Sequence, residues 1–157
     1  MKHSLFLIGL IAIVGPSQAA VRKAPDPFCA PLQAFARSVR SDEHHEFTFH
    51  TLWGGNFNDS PDPAVFAKRC DHNGYAPAKA VCDYLMENGA VEFSGNNAKH
   101  ALACLSPGTR FAPLVSLDLG AFSLSYGTPE RGSNLTVEFS EDKKLGGMML
   151  RVAADGY

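Results

Sequence analysis

The chain has 157 residues, with 14 Lys+Arg against 16 Asp+Glu, 45% apolar residues and four cysteines. That length is enough for one domain with a real core. The mild negative balance, with no basic stripe and no basic amphipathic helix, argues against nucleic acid and membrane surfaces as partners, because both need concentrated positive charge.

Residues 1–20 read as a signal peptide. Lys2 gives the positive start, Leu5 to Val14 is an apolar run, and Ser17-Gln18-Ala19 fits a small-x-Ala cleavage pattern. The run falls short of the ~20 residues that a membrane helix needs. Cleavage is expected near Ala19 or Ala20, and no cysteine follows directly to carry a lipid anchor. The remaining residues 21–157 are expected to form a single α+β domain in the periplasm or outside the cell, with no membrane anchor. The short signal reads as bacterial.

An even number of cysteines in an exported chain implies disulfides. Cys29, Cys70, Cys82 and Cys104 contain no C-x-x-C spacing and spread over most of the domain, which argues against zinc. No metal and no other cofactor is expected. The favoured pairing is Cys29–Cys70 with Cys82–Cys104; a Cys70–Cys82 pair closing a short loop is the rival.

In chain order, Val21–Pro27 is an extended, proline-bearing leader. Cys29–Arg40 reads as a helix, with Leu32, Phe35, Ala36 and Val39 on its apolar face. Glu46–Trp53 alternates as a strand, with Phe47, Phe49, Thr51 and Trp53 on the core side. Gly54-Gly55 ends it, and Asn56–Asp62 is loop. Asp62-Pro63 looks like a helix start, so a short helix over 63–69 is expected. Asp71-His72-Asn73-Gly74 is turn chemistry.

Ala76–Glu87 reads as a helix stopped by Asn88-Gly89. Asn96–Leu105 reads as another, and the two are expected to form an αα-hairpin. Period-two alternation then runs through Val115–Leu119, Phe122–Tyr126, Leu135–Phe139 and Met148–Val152, with a bulge or tight turn at Gly120-Ala121. The expected architecture is therefore α+β: N-terminal helices and a helical hairpin packed on one face of an antiparallel sheet of about four strands, with two disulfides.

Catalytic signals are sparse. His44-His45-Glu46 with His50 approaches H-E-x-x-H, but the spacing is wrong and the strand pattern denies the histidines a common helical face. The oxygen-rich loop Asn56-Phe57-Asn58-Asp59 and Asp62 lacks calcium-loop spacing. Ser140-Glu141-Asp142-Lys143 matches S-x-x-K in a turn, not on a helix. There is no nucleophile elbow, phosphate loop or dinucleotide fingerprint. Asn134-Leu135-Thr136 is a glycosylation acceptor by letter.

The expectation from sequence is thus a protein that acts by binding another protein, as a periplasmic inhibitor or an immunity-type module. Trp53, Asn56, Phe57, Asn58 and Asp59 form the expected contact edge, because an aromatic at a strand end beside a loop is a common anchor; alternatively, Trp53 continues the core stripe. The competing expectations are a metal-assisted hydrolase using His44, His45 and His50, and a small-ligand pocket near Phe47, Trp53 and Tyr126.

Overall fold

Phe47 and Phe49 are both essentially inaccessible to solvent, and their strand sits near the centre of the sheet. The computed structural model describes residues 26–157. The expected signal peptide and most of the expected leader lie outside the described residues.

Three helices and five strands follow in the order α1 (Cys29–Ser38), β1 (His44–Trp53), β2 (Phe66–Asp71), α2 (Ala76–Asn88), α3 (Gly95–Leu105), β3 (Gly120–Thr128), β4 (Arg131–Glu141) and β5 (Met148–Gly156). The sheet order is β2-β1-β5-β4-β3 and every pairing is antiparallel. The helices cover one face only. This is the α+β arrangement that the alternating strands and early helices imply, with five strands where about four were expected.

Alternation assigns the two faces. Val152, Leu150, Val137 and Phe139 join Phe47 and Phe49 beneath the helices. Leu32, Phe35 and Ala36 of α1, Val81 and Leu85 of α2, and Ala101 and Leu105 of α3 close over them. The Phe35 and Phe47 rings meet edge-on at 5.4 Å. Ser133 Oγ donates to the Ala36 carbonyl, which pins α1 to β4 without leaving a buried hydroxyl unpaired. On the other face Arg151 lies between Glu46 and Glu138, while at the β1–β2 end His50 and Ala67 are buried beneath Phe57 and Leu145.

Four expectations are corrected. The segment expected as a helix over 63–69 instead contributes β2, paired residue for residue with β1 from Thr48↔Asp71 to Trp53↔Phe66. Six ladder positions and a disulfide outweigh a helix too short to stabilise itself. Val115–Leu119 forms no strand, and β3 starts at Gly120. Its alternation is real, but the segment leaves the sheet to rest on the start of α3, where Lys99 Nζ donates to the Val115 carbonyl.

Helices α2 and α3 do not form a packed hairpin. Both pack on α1 instead. The linker between them is held open by Asn97, whose side chain bonds both the N–H and the C=O of Ala90. That arrangement also decides the disulfides. Cys104 faces Cys29 on α1, and Cys82 faces Cys70 on β2, so the bonds are Cys29–Cys104 and Cys70–Cys82. The rival short-loop pair forms, and neither favoured pair does. The Asn73-Gly74 turn stands as expected, with both residues in the left-handed region at φ 51° and 75°.

Candidate functional site

One row of the sheet marks where helical cover stops. Cys70, Phe49, Leu150, Phe139 and Gly120 lie side by side across β2, β1, β5, β4 and β3. A Cβ on Gly89, just past α2, would stand 2.7 Å from Cζ of Phe49. A Cβ on Gly95, the first residue of α3, would lie 3.5 Å from the Phe139 ring. So α2 ends and α3 begins over this row. The strands run on. Lys68, Thr51, Met148 and Glu141 form the next row, and Phe66 with Trp53 the one after.

The uncovered end is concave. A groove of about 620 Å³ is walled by the start of α3, by Phe93 before it, and by the departing segment 113–119. Phe139, Glu141 and Met148 lie on its sheet side. Phe93, Leu114, Val115 and Leu119 line it with large apolar side chains left in water; Leu114 is 99% exposed and Phe93 68%. Trp53, Val65, Phe66 and Met86 are also exposed, around the β1–β2 corner. Single exposed apolar residues need no explanation, but a cluster around a groove does.

The groove's charge is acidic. Glu92, Asp118 and Glu141 line it against Lys99 alone, and Lys99 is engaged by the Val115 carbonyl. An apolar floor with carboxylates at its lip suits an apolar side chain carried beside a lysine or arginine.

Of the expected contact edge, Trp53, Asn58 and Asp59 are exposed, Asn56 is half-buried and Phe57 is buried. Phe57 is 3% exposed and forms a small second core with Ala67 and Leu145. Asn56 ties the loop to itself through Ser60 and Asp62. Asn58 bonds the Lys144 carbonyl, and Asp59 holds Arg69 through two hydrogen bonds. Trp53 is 54% exposed, so it does not continue the buried stripe, and Asn58 and Asp59 are exposed beside it.

His44 and His45 line a small pocket of about 100 Å³ with His72, but His50 lies elsewhere, and among the described residues their ligand atoms form no metal-type cluster. His44 and His45 point to opposite faces of β1, as neighbours in a strand must. His44 bonds Asp155 at 2.6 Å. The Asp155 carboxylate, against a smaller opposing effect of burial, holds the His44 imidazole above its ordinary value. His45 stacks flat on Tyr75 with ring centres 3.6 Å apart. His50 is buried, between Asp142 at 2.6 Å and Asp71 at 3.2 Å. Burial pushes Asp142 upward, but the N–H groups of Leu145 and Lys144, with His50, outweigh it and hold its carboxyl below the ordinary value. This Asp–His–Asp chain joins β1 to the β4–β5 turn. Phe47, Trp53 and Tyr126 likewise surround no common space, and none of them lines the groove.

Sequence reading missed Phe93, Leu114, Val115 and Leu119 as surface residues. Alternation through 115–119 says only that a segment has two faces. Which face meets a partner strand depends on where β4 ends.

No family model, curated protein or solved structure matches this chain.

Proposed function

We propose that this chain is an exported binding module, braced by two disulfides, that holds a partner protein at the uncovered end of its sheet. Its role is that of an inhibitor or immunity-type protein, in the periplasm or outside the cell. The observation that carries this reading is the concentration of large exposed apolar side chains around one acidic-lipped groove. The cost of leaving so much apolar surface in water is removed when a partner covers it, at about 25 cal/mol per Å². The fitting partner presents an aromatic or aliphatic anchor next to a basic residue. A stable complex would bury more than ~1,000 Å². Trp53 and Phe66 extend the contact beyond the groove.

Capture from the exported fraction of the producing cell tests it. The wild-type chain and Ser123→Asp, which alters the open polar face, should retain one partner in near-equal amount. Phe93→Asp and Leu119→Asp should lose it. Retention unchanged in the two groove variants, or no partner retained by any form, contradicts the reading.

A further inference from the structure

The Cys29–Cys104 disulfide has two neighbours that a cross-link between helices does not require. One ligand-type atom from each of Asp26, Cys29, His100 and Cys104 lies within 4.8 Å of all the others. No second cluster of this kind occurs among the described residues, so Cys70–Cys82 lacks such company. The four side chains come from two short segments. Asp26 and Cys29 are three apart at the entry to α1. His100 and Cys104 are four apart on α3 and therefore share a face. Two ligands from each of two short segments is the arrangement that tetrahedral zinc sites use.

The orientation of the carboxylate is already set. Asp26 Oδ1 accepts the N–H groups of Phe28 and Cys29. Its Oδ2 is thereby aimed at His100 Nε2, 3.0 Å away. Two ligand atoms bound to one zinc at about 2.0–2.1 Å stand about 3.3 Å apart in a tetrahedron, so this pair is nearly in place. Backbone bonds to the second oxygen are the outer support that ligating carboxylates receive. The buried Phe28 ring flanks His100 at 4.8 Å. Cys104 forms a buried floor at 2% exposure, while His100 and Asp26 are 40% and 44% exposed at the mouth. A reductant and a cation can reach the site from that side.

We propose that reduction of Cys29–Cys104 converts this corner into a four-coordinate zinc(II) site formed by the Asp26 carboxylate, His100 and the two cysteine thiolates. A dithiol reductant supplies two electrons and two protons and is itself oxidised to a disulfide. The Cys29–Cys104 S–S bond breaks and two thiols form. Zinc(II) then replaces both thiol protons, which leave to solvent, with no change in its oxidation state. The sulfur atoms settle about 3.8 Å apart, as two Zn–S bonds of about 2.3 Å require. The same two helices, α1 and α3, are thus tied by a covalent bond in an oxidising compartment and by a metal in a reducing one.

The purified chain tests this directly. It is reduced without oxygen by a phosphine, which takes its oxygen from one water while the two sulfurs leave as thiols. Cobalt(II), then zinc(II), is titrated in while absorbance and far-UV circular dichroism are followed. The expected result is one cation per chain, a thiolate-to-cobalt charge-transfer band, displacement of cobalt by zinc and helical signal retained with metal. Cys29→Ser should abolish the band. His100→Ala should weaken zinc by at least the roughly 10–100-fold that losing even an outer partner costs. The oxidised chain should bind neither ion in this way. The proposal is overturned by equal affinity in His100→Ala, by a band that survives Cys29→Ser, or by a reduced chain that is unfolded and stays so with zinc.

Discussion

Gly89 lies against the ring of Phe49 so closely that a Cβ there would sit 2.7 Å from Cζ and 2.5 Å from the Leu85 carbonyl oxygen. The contact fixes the height at which α2 stops above the sheet, and so how far β1 and β2 project beyond it. Gly89 has an ordinary φ of −63°, so its role is close approach and not left-handed geometry. Gly89→Ala should therefore destabilise the fold by overpacking, by about 1–3 kcal/mol. In urea the midpoint should fall with an unchanged slope.

The two disulfides should contribute unequally. Cys29–Cys104 spans 75 residues and Cys70–Cys82 spans 12. Chain entropy alone assigns about 4.5 kcal/mol to the first and about 3 kcal/mol to the second. The first also joins α1 to α3, alongside the hydrogen bond that Gln33 Nε2 donates to the Cys104 carbonyl. Cys29→Ala/Cys104→Ala should lower the denaturant midpoint more than Cys70→Ala/Cys82→Ala; the reverse order would mean that the short loop protects structure beyond itself.

Stability should fall off on both sides of a plateau in pH. Asp142 is held below its ordinary value of 3.8. A depressed carboxylate stabilises the fold above its unfolded pKa, and that contribution is lost as pH falls through the folded value. His44 is held above its ordinary value of 6.5 by Asp155. A raised imidazole contributes fully below its unfolded pKa and loses that contribution as pH rises through the folded value. Asp142→Asn should flatten the acid limb. Asp155→Asn should remove the weaker limb above about pH 6.5, where the pair is half-exposed and screened. Unfolding free energies from about pH 3 to pH 8 check both.

The β1–β2 corner should depend on Phe57. That ring is buried with Ala67 and Leu145, and Arg69 lies over it with the guanidinium carbon 5.0 Å from the ring centre. Phe57→Ala should cost about 3–5 kcal/mol if the corner folds with the rest of the domain. Hydrogen exchange should then show the whole domain weakened. Faster exchange confined to the Gly54–Ser60 loop would instead make the corner an independent local unit.

Strands β1, β4 and β5 were legible because large apolar residues recur every second position, as Phe47/Phe49, Val137/Phe139 and Leu150/Val152, and these pairs are buried beneath the helices. Helix α2 was legible from the Asn88-Gly89 stop. β2 was not. Phe66-Ala67-Lys68-Arg69-Cys70 carries no clean period, because it is an edge strand with Phe66 half in water and Arg69 paired to Asp59. Its identity comes from β1, which a local reading does not see. The disulfides failed for the same reason: the pairing expected across an α2–α3 hairpin presumed that neighbours in sequence are neighbours in space, and α1 takes that place. The groove was hidden most deeply. Leu117 and Leu119 look like core in any local window, and only the point at which the sheet ends leaves Leu119 exposed.

Whether the uncovered sheet end binds a protein is read out by contact within the producing cell. A photo-crosslinking amino acid is placed at Leu114 on the groove, and separately at Ser123 on the polar face. Leu114 should give one discrete crosslinked species of constant size, lost when Phe93→Asp is added, while Ser123 gives none. Crosslinks of equal yield from both positions, or none from Leu114, would contradict the account.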